Sequence, residues 1–200
     1  VMMNDNSRLA ISPTAGESYK KAEAVSTFAI AIGVDSKSDS GIPDGTIDAA
    51  TGKPKTSGTV AIGLHAQVKP DAGKTALAGI AIGDHATATQ DSALAIGAYN
   101  SATGTSSTAI GKSSSATNNN AIAVGTQAKA THENSVTLGS YSSSAANDFN
   151  QTAKALSYFG DKSSVTVKYN GTSSTQKGAV SVGDGKLVRQ IQNVGAGRIT

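Results

Sequence analysis

A pentapeptide of alternating small and larger apolar residues, closed by glycine, recurs eight times along this chain. The copies are Ala29-Ile30-Ala31-Ile32-Gly33, Thr59-Val60-Ala61-Ile62-Gly63, Gly79-Ile80-Ala81-Ile82-Gly83, Ala93-Leu94-Ala95-Ile96-Gly97, Ser107-Thr108-Ala109-Ile110-Gly111, Ala121-Ile122-Ala123-Val124-Gly125, Ser135-Val136-Thr137-Leu138-Gly139 and Ala179-Val180-Ser181-Val182-Gly183. From Gly83 to Gly139 the glycines fall fourteen residues apart. A fixed internal period means stacked like units, a solenoid.

Inside each copy the third and first residues before the glycine are the larger ones, and the residue between them is Ala, Thr or Ser. This period of two predicts a short strand. One face carries the apolar pair, and the other is small enough for a second backbone to come close. A weaker alternation follows the glycine, with small residues at Ala86 and Ala88, Asn100 and Ala102, Ser114 and Ala116, and Ala128 and Ala130. It predicts a second short strand, so that fourteen residues form one rung of a flattened β-coil. One apolar pair per rung falls short of the cost of ordering fourteen residues. The chain is therefore expected to bury a second face against copies of itself.

Composition agrees with a thin coil. Aromatic residues make up 4% of 200, tryptophan is absent and there are 22 glycines, so there is little bulk to fill a wide interior. Cysteine is absent, so disulfides contribute nothing. The formal charge of +3 is small and scattered, which argues against nucleic acid or an anionic lipid surface as partner. No apolar run reaches transmembrane length, and the first residues lack the pattern of a signal peptide.

Charge placement separates the coil from what is inserted into it. Between Ser92 and Ala128 the only charged residue is Lys112, whereas Gly41 to Ser57 carries Asp44, Asp48, Lys53 and Lys55 with Pro43 and Pro54. Gly33 and Gly63 lie thirty residues apart, one rung plus sixteen, and Gly63 and Gly83 twenty apart, one rung plus six. Excursions are expected at about 40–58 and 70–78, the second turning at Pro70-Asp71-Ala72-Gly73. A longer interruption, 141–178, holds the alternating run Ser164-Val165-Thr166-Val167-Lys168-Tyr169 before Asn170-Gly171, which reads as a β-hairpin.

At this point the residues are specific enough to resemble a family. Asn134-Ser135-Val136-Thr137-Leu138-Gly139 and Asn120-Ala121-Ile122-Ala123-Val124-Gly125 are similar to the Asn-Ser-Val-Ala-Ile-Gly head repeat of YadA-like trimeric autotransporter adhesins. Val180-Ser181-Val182-Gly183 followed by Arg189-Gln190-Ile191-Gln192-Asn193-Val194-Gly195-Ala196-Gly197 resembles that family's neck. Gln192 stands where Thr is usual and Gly195 where Ala is usual. The resemblance implies an all-β, left-handed parallel β-roll of 14-residue rungs that forms a homotrimer. The head would span 1–140, the insertion 141–178, and the last head strand and neck 179–200. It implies display on a bacterial outer membrane through an anchor outside these residues. Attachment to collagen, fibronectin, laminin or host cell receptors is implied with it, and no cofactor.

Other solenoids fit less well. Acyltransferases built on hexapeptide coils repeat in multiples of six, which fourteen is not, and the Gly-Gly-x-Gly-x-Asp run of calcium-binding rolls does not occur. An ice-binding solenoid calls for a regular rank of threonines, which is not apparent. No nucleophile, base and orienting acid stand in a recognisable local arrangement, so no catalytic residue is assigned. Three classes stay in view: an adhesin head, a structural spacer beneath a more distal binding domain, and an enzyme.

Candidate ligand contacts are Tyr99, Lys112, Gln127 and Tyr141, one on each successive rung, with the excursion from Gly41 to Ser57 as the rival site. Candidate neck and trimer residues are Asp184, Arg189, Gln190, Ile191, Asn193 and Val194. Among them Arg189 is expected to pair with Asp184 of a neighbouring subunit. His65 and His85 each follow a repeat glycine by two residues, a position where two rings can stack and chelate a metal. The same position elsewhere holds Asp35, Tyr99, Ser113, Gln127 and Tyr141, and the six-residue excursion falls between the two histidines. An exposed turn site is the favoured reading there, and no metal ligand is assigned.

Overall fold

The computed structural model of the chain describes residues 8–12, 20–43, 45–52, 57–144, 156–157, 164–165, 178–184, 186 and 189. Every regular element among them is a β-strand. Strands of two or three residues alternate along the chain, and they assemble into two parallel sheets, one of nine strands and one of seven. Each strand pairs with its counterpart one rung away, in one unbroken register. In the nine-stranded sheet Ala31, Ala61, Ala81, Ala95, Ala109, Ala123 and Thr137 stand in line. In the seven-stranded sheet the line is Ala24, Ser38, Val68, Ala88, Ala102, Ala116 and Ala130. This is a β-roll, all-β and parallel, as the fourteen-residue period predicts.

The nine-stranded sheet contains a rung that the glycine signature does not reveal. Leu9–Ile11 pairs with Ile30–Ile32, with Ala10 opposite Ala31. Ser12 stands where the other copies have glycine, so only the alternation marks this strand.

Which face points inward is decided by space. The small residue at the centre of each long strand is fully buried, at 0% exposure from Ala31 through Thr137. The larger pair on either side of it, such as Ile80 and Ile82 or Ile122 and Val124, lies on the outer face and is half-buried. The interior is thus built from columns of Ala and Ser, with Val68 its largest apolar side chain. Several interior hydroxyls find partners within the roll: Ser36 Oγ donates to Gly33 O at 2.9 Å and Ser114 Oγ to Gly111 O at 3.0 Å. Ser38 Oγ donates to Thr59 Oγ1 at 2.9 Å. The larger apolar residues of the longer sheet thus stay on its outer face.

Val68 fits because of Gly79. A Cβ on Gly79 would stand 2.8 Å from Val68 Cγ1, whereas Thr59, Ala93, Ser107, Ala121 and Ser135 occupy the equivalent column on other rungs. A larger residue on one sheet is matched by the loss of a side chain on the other, conserving volume in a close-packed interior.

The repeat glycines turn the chain out of the long strand. Gly97 has φ +130°, and a Cβ there would lie 2.6 Å from the carbonyl oxygen of Gly111 on the next rung. Both the backbone conformation and the contact exclude a side chain.

The two excursions pack against each other without disturbing the stack. A Cβ on Gly41 would meet Pro70 Cγ at 2.6 Å, and Ala76 donates its N–H to Ser40 O at 3.0 Å. Val60–Ile62 and Ile80–Ile82 on either side of the second excursion pair in ordinary register. In the long interruption, Leu156–Ser157 and Ser164–Val165 form an antiparallel pair. The pair closes upstream of Asn170-Gly171, and that dipeptide lies outside the described residues.

Candidate adhesive surface

The edge of the roll that follows each repeat glycine is a stack of identical turns. Asp35, His65, His85, Tyr99, Ser113, Gln127 and Tyr141 all have φ between 52° and 62°, the left-handed region that a side chain adopts at a cost. The stack holds them there. Each turn donates a backbone N–H to the rung before it, as in His85 to Leu64 O at 2.8 Å, Tyr99 to Asp84 O at 2.7 Å and Tyr141 to Thr126 O at 2.8 Å. Their side chains point away from the interior, and Tyr99 and Tyr141 are 56% and 53% exposed.

Tyr99, Gln127 and Tyr141 therefore share one column, with Ser113 on the rung between Tyr99 and Gln127. Lys112 is exposed one residue earlier in its turn, in the adjacent column, and its carbonyl accepts the Gln127 N–H at 2.8 Å. All four candidates lie on one edge.

The column continues toward the N-terminus as a ladder of rings. The Tyr99 and His85 rings stack with centroids 4.8 Å apart and planes 11° apart, and His85 and His65 lie 4.6 Å apart, tilted by 45°. His65 Nδ1 is 2.8 Å from Asp35 Oδ2 on the preceding rung, and His85 Nδ1 is 2.5 Å from Asp84 Oδ1. The excursion at 70–78 does not separate the two histidines, because it leaves the opposite part of the rung and returns in register. Position relative to the glycine is the signal that finds them. Sequence separation misleads.

At the base of the roll Gln127, Lys129, Tyr141, Ser142, Ser143 and Asp184 line an open cleft of about 320 Å³. Here the glycine column ends. Gly183, which the repeat would set over Gly139, offers its carbonyl to Ser143 N at 2.8 Å instead. The Arg189 side chain fills the vacated place, its Cζ 3.0 Å from where a Gly139 Cβ would be. Arg189 Nη1 donates to Ser142 Oγ at 2.8 Å and to Val182 O at 2.7 Å, and Nη2 donates to Ser140 O. Asp184 is exposed and accepts the Lys186 N–H at 2.8 Å. Gln190, Ile191, Asn193 and Val194 lie outside the described residues. Among the described residues no group of three or more His, Cys, Asp or Glu could hold a metal ion, and no helix is long and apolar enough to cross a membrane.

Comparison with known proteins places this architecture. The YadA head domain repeat matches residues 75–100, 102–128 and 116–142. The chain is also similar to a solved structure, the collagen-binding domain of the Yersinia adhesin YadA. The two are 30% identical, the match covers 96% of this chain and 89% of that one, and the TM-score is 0.57. No curated protein sequence matches. The chain belongs to the YadA-like trimeric autotransporter adhesins, and its roll is a YadA-like head.

Proposed function

We propose that this chain is the head of a homotrimeric adhesin, held on a bacterial outer membrane by an anchor elsewhere in the protein, that attaches the cell to host extracellular matrix. Collagen is the first ligand to test, because the chain resembles a collagen-binding domain over nearly its whole length. The observation that carries the trimer is the outward apolar face of the nine-stranded sheet. Ile32, Ile62, Ile82, Ile96, Ile110 and Val124 stand in register along it, each half-buried in a single chain. A continuous apolar stripe of this kind calls for a partner, and three identical stripes closing on one axis supply it. At the base, Arg189 binds Val182 O, two residues before Asp184, and pairing of Arg189 with Asp184 of a neighbouring subunit would tie the chains together.

Adhesion then works by repetition. The edge carrying Tyr99, Lys112, Gln127 and Tyr141 offers the ligand similar small contacts on successive rungs, multiplied by three chains, so weak contacts sum to avidity. Solid-phase binding of the trimer to immobilised collagen, fibronectin, laminin and whole cells tests this. Attachment that survives deletion of 41–57 assigns binding to the rungs, and its loss assigns it to the excursion. Failure on every surface makes the roll a spacer.

A further inference from the structure

We propose that His65 and His85 form a surface site for a divalent transition-metal ion of the zinc or nickel class, spanning two adjacent rungs. Their strands are paired neighbours, and both residues occupy the same left-handed turn position, φ 52° and 54°. The imidazoles therefore project from equivalent points and meet with centroids 4.6 Å apart.

The carboxylates make this pair more than a chance stack. Asp35 Oδ2 and Asp84 Oδ1 each lie within hydrogen-bond distance of an Nδ1, at 2.8 and 2.5 Å. A carboxylate accepts, so in the neutral ring Nδ1 carries the hydrogen and the lone pair resides on Nε2. Carboxylate–histidine pairs of this kind orient metal-binding imidazoles and raise their basicity. The Tyr99 ring, stacked on the other side of His85 at 4.8 Å, holds its plane. With both rings neutral, the two carboxylates carry two negative charges beside the site, which match a divalent cation. Side chains 33% and 44% exposed leave the rings open to an ion from solvent. Two imidazoles leave the remaining coordination positions to water, and imidazole favours zinc, nickel and copper over magnesium or calcium.

Equilibrium dialysis of the 200-residue chain against zinc chloride, nickel chloride and magnesium chloride tests the site. One zinc or nickel ion per chain is expected, with no magnesium. His65→Asn and His85→Asn should each weaken binding at least tenfold, and Asp35→Asn, which touches no metal, by about 10- to 100-fold. His132→Asn, several rungs away beyond Lys129–Ala130, where the ring lies 3.1 Å from Thr131 Oγ1, should change nothing. Asparagine suits left-handed turns, so these variants keep the fold, and matching circular dichroism melts check it. Zinc binding by the His65→Asn/His85→Asn variant as tight as by the parent would overturn the proposal. So would the absence of one-to-one binding by the parent.

Discussion

Arg189 stands over Gly139 where, on every earlier rung, the backbone of the next glycine stands. A Cβ on Gly111 or Gly125 would strike the following rung's main chain, whereas one on Gly139 would strike the Arg189 guanidinium, with Cζ 3.0 Å away. Among the described residues the last rung has no successor in this column, and the arginine supplies donors to Ser142, Val182 and Ser140 in its stead. Terminal units of a solenoid need such a cap, because their exposed edge has lost its neighbour.

Replacing Arg189 by alanine should therefore lower stability by about 1–3 kcal/mol through unmade hydrogen bonds to a charged donor. The thermal midpoint of unfolding reads this directly. Lysine should recover only part of it, lacking the planar fork. An Arg189→Ala protein as trimeric and as heat-stable as the parent would remove both the capping and the intersubunit roles.

Gly97→Ala tests the turn. With φ +130° and a neighbouring carbonyl 2.6 Å from the new methyl, the change should cost about 2–4 kcal/mol. The midpoint of urea unfolding should fall accordingly. Alanine at Gly73, with nothing within 4 Å, strains only its own φ of 73° and should cost about 1 kcal/mol.

Val68 and Gly79 should behave as a coupled pair. Val68→Ala leaves a void worth about 1–3 kcal/mol, and Gly79→Ala alone overpacks against Val68 by a similar amount. The double variant restores the Ala–Ala pairing found on other rungs. It should lie closer to the parent than the two losses added together, with a coupling of about 1–3 kcal/mol in chemical denaturation.

Ile82→Asp places a charge on the outer face of the long sheet while leaving the interior columns alone. If that face is the subunit interface, multi-angle light scattering should show monomer in place of trimer. Thr87→Asp, on the second sheet's outer face, should leave the mass unchanged.

Most of the stack can be read from the sequence because glycine and alternation coincide, and each repeat glycine from Gly33 to Gly139 closes an observed strand. The rung at Leu9–Ile11 escapes that signature, since Ser12 replaces the glycine. Period two also leaves open which face is inside. The usual expectation buries the bulkier residues, but here the sheets approach so closely that Ala, Ser and Thr fill most of the space between them, Val68 fitting only opposite Gly79, and the isoleucines turn outward. The histidine contact is hidden for a different reason: pairing follows register, not distance along the chain, so an excursion of six residues leaves His65 and His85 as neighbours. Tyr99, Gln127 and Tyr141 are legible as one column. Lys112 belongs to the next.

The uniform interior has a consequence for size. Because Ala81, Ala95, Ala109 and Ala123 present the same surface above and below, one whole turn of fourteen residues can be added or removed without a new cross-section to fill. Each such change shifts the height by one strand spacing, about 4.8 Å. The length of this roll is set by a whole number, adjustable by duplication or loss of a single coding unit while the packing of every other level stays as it was.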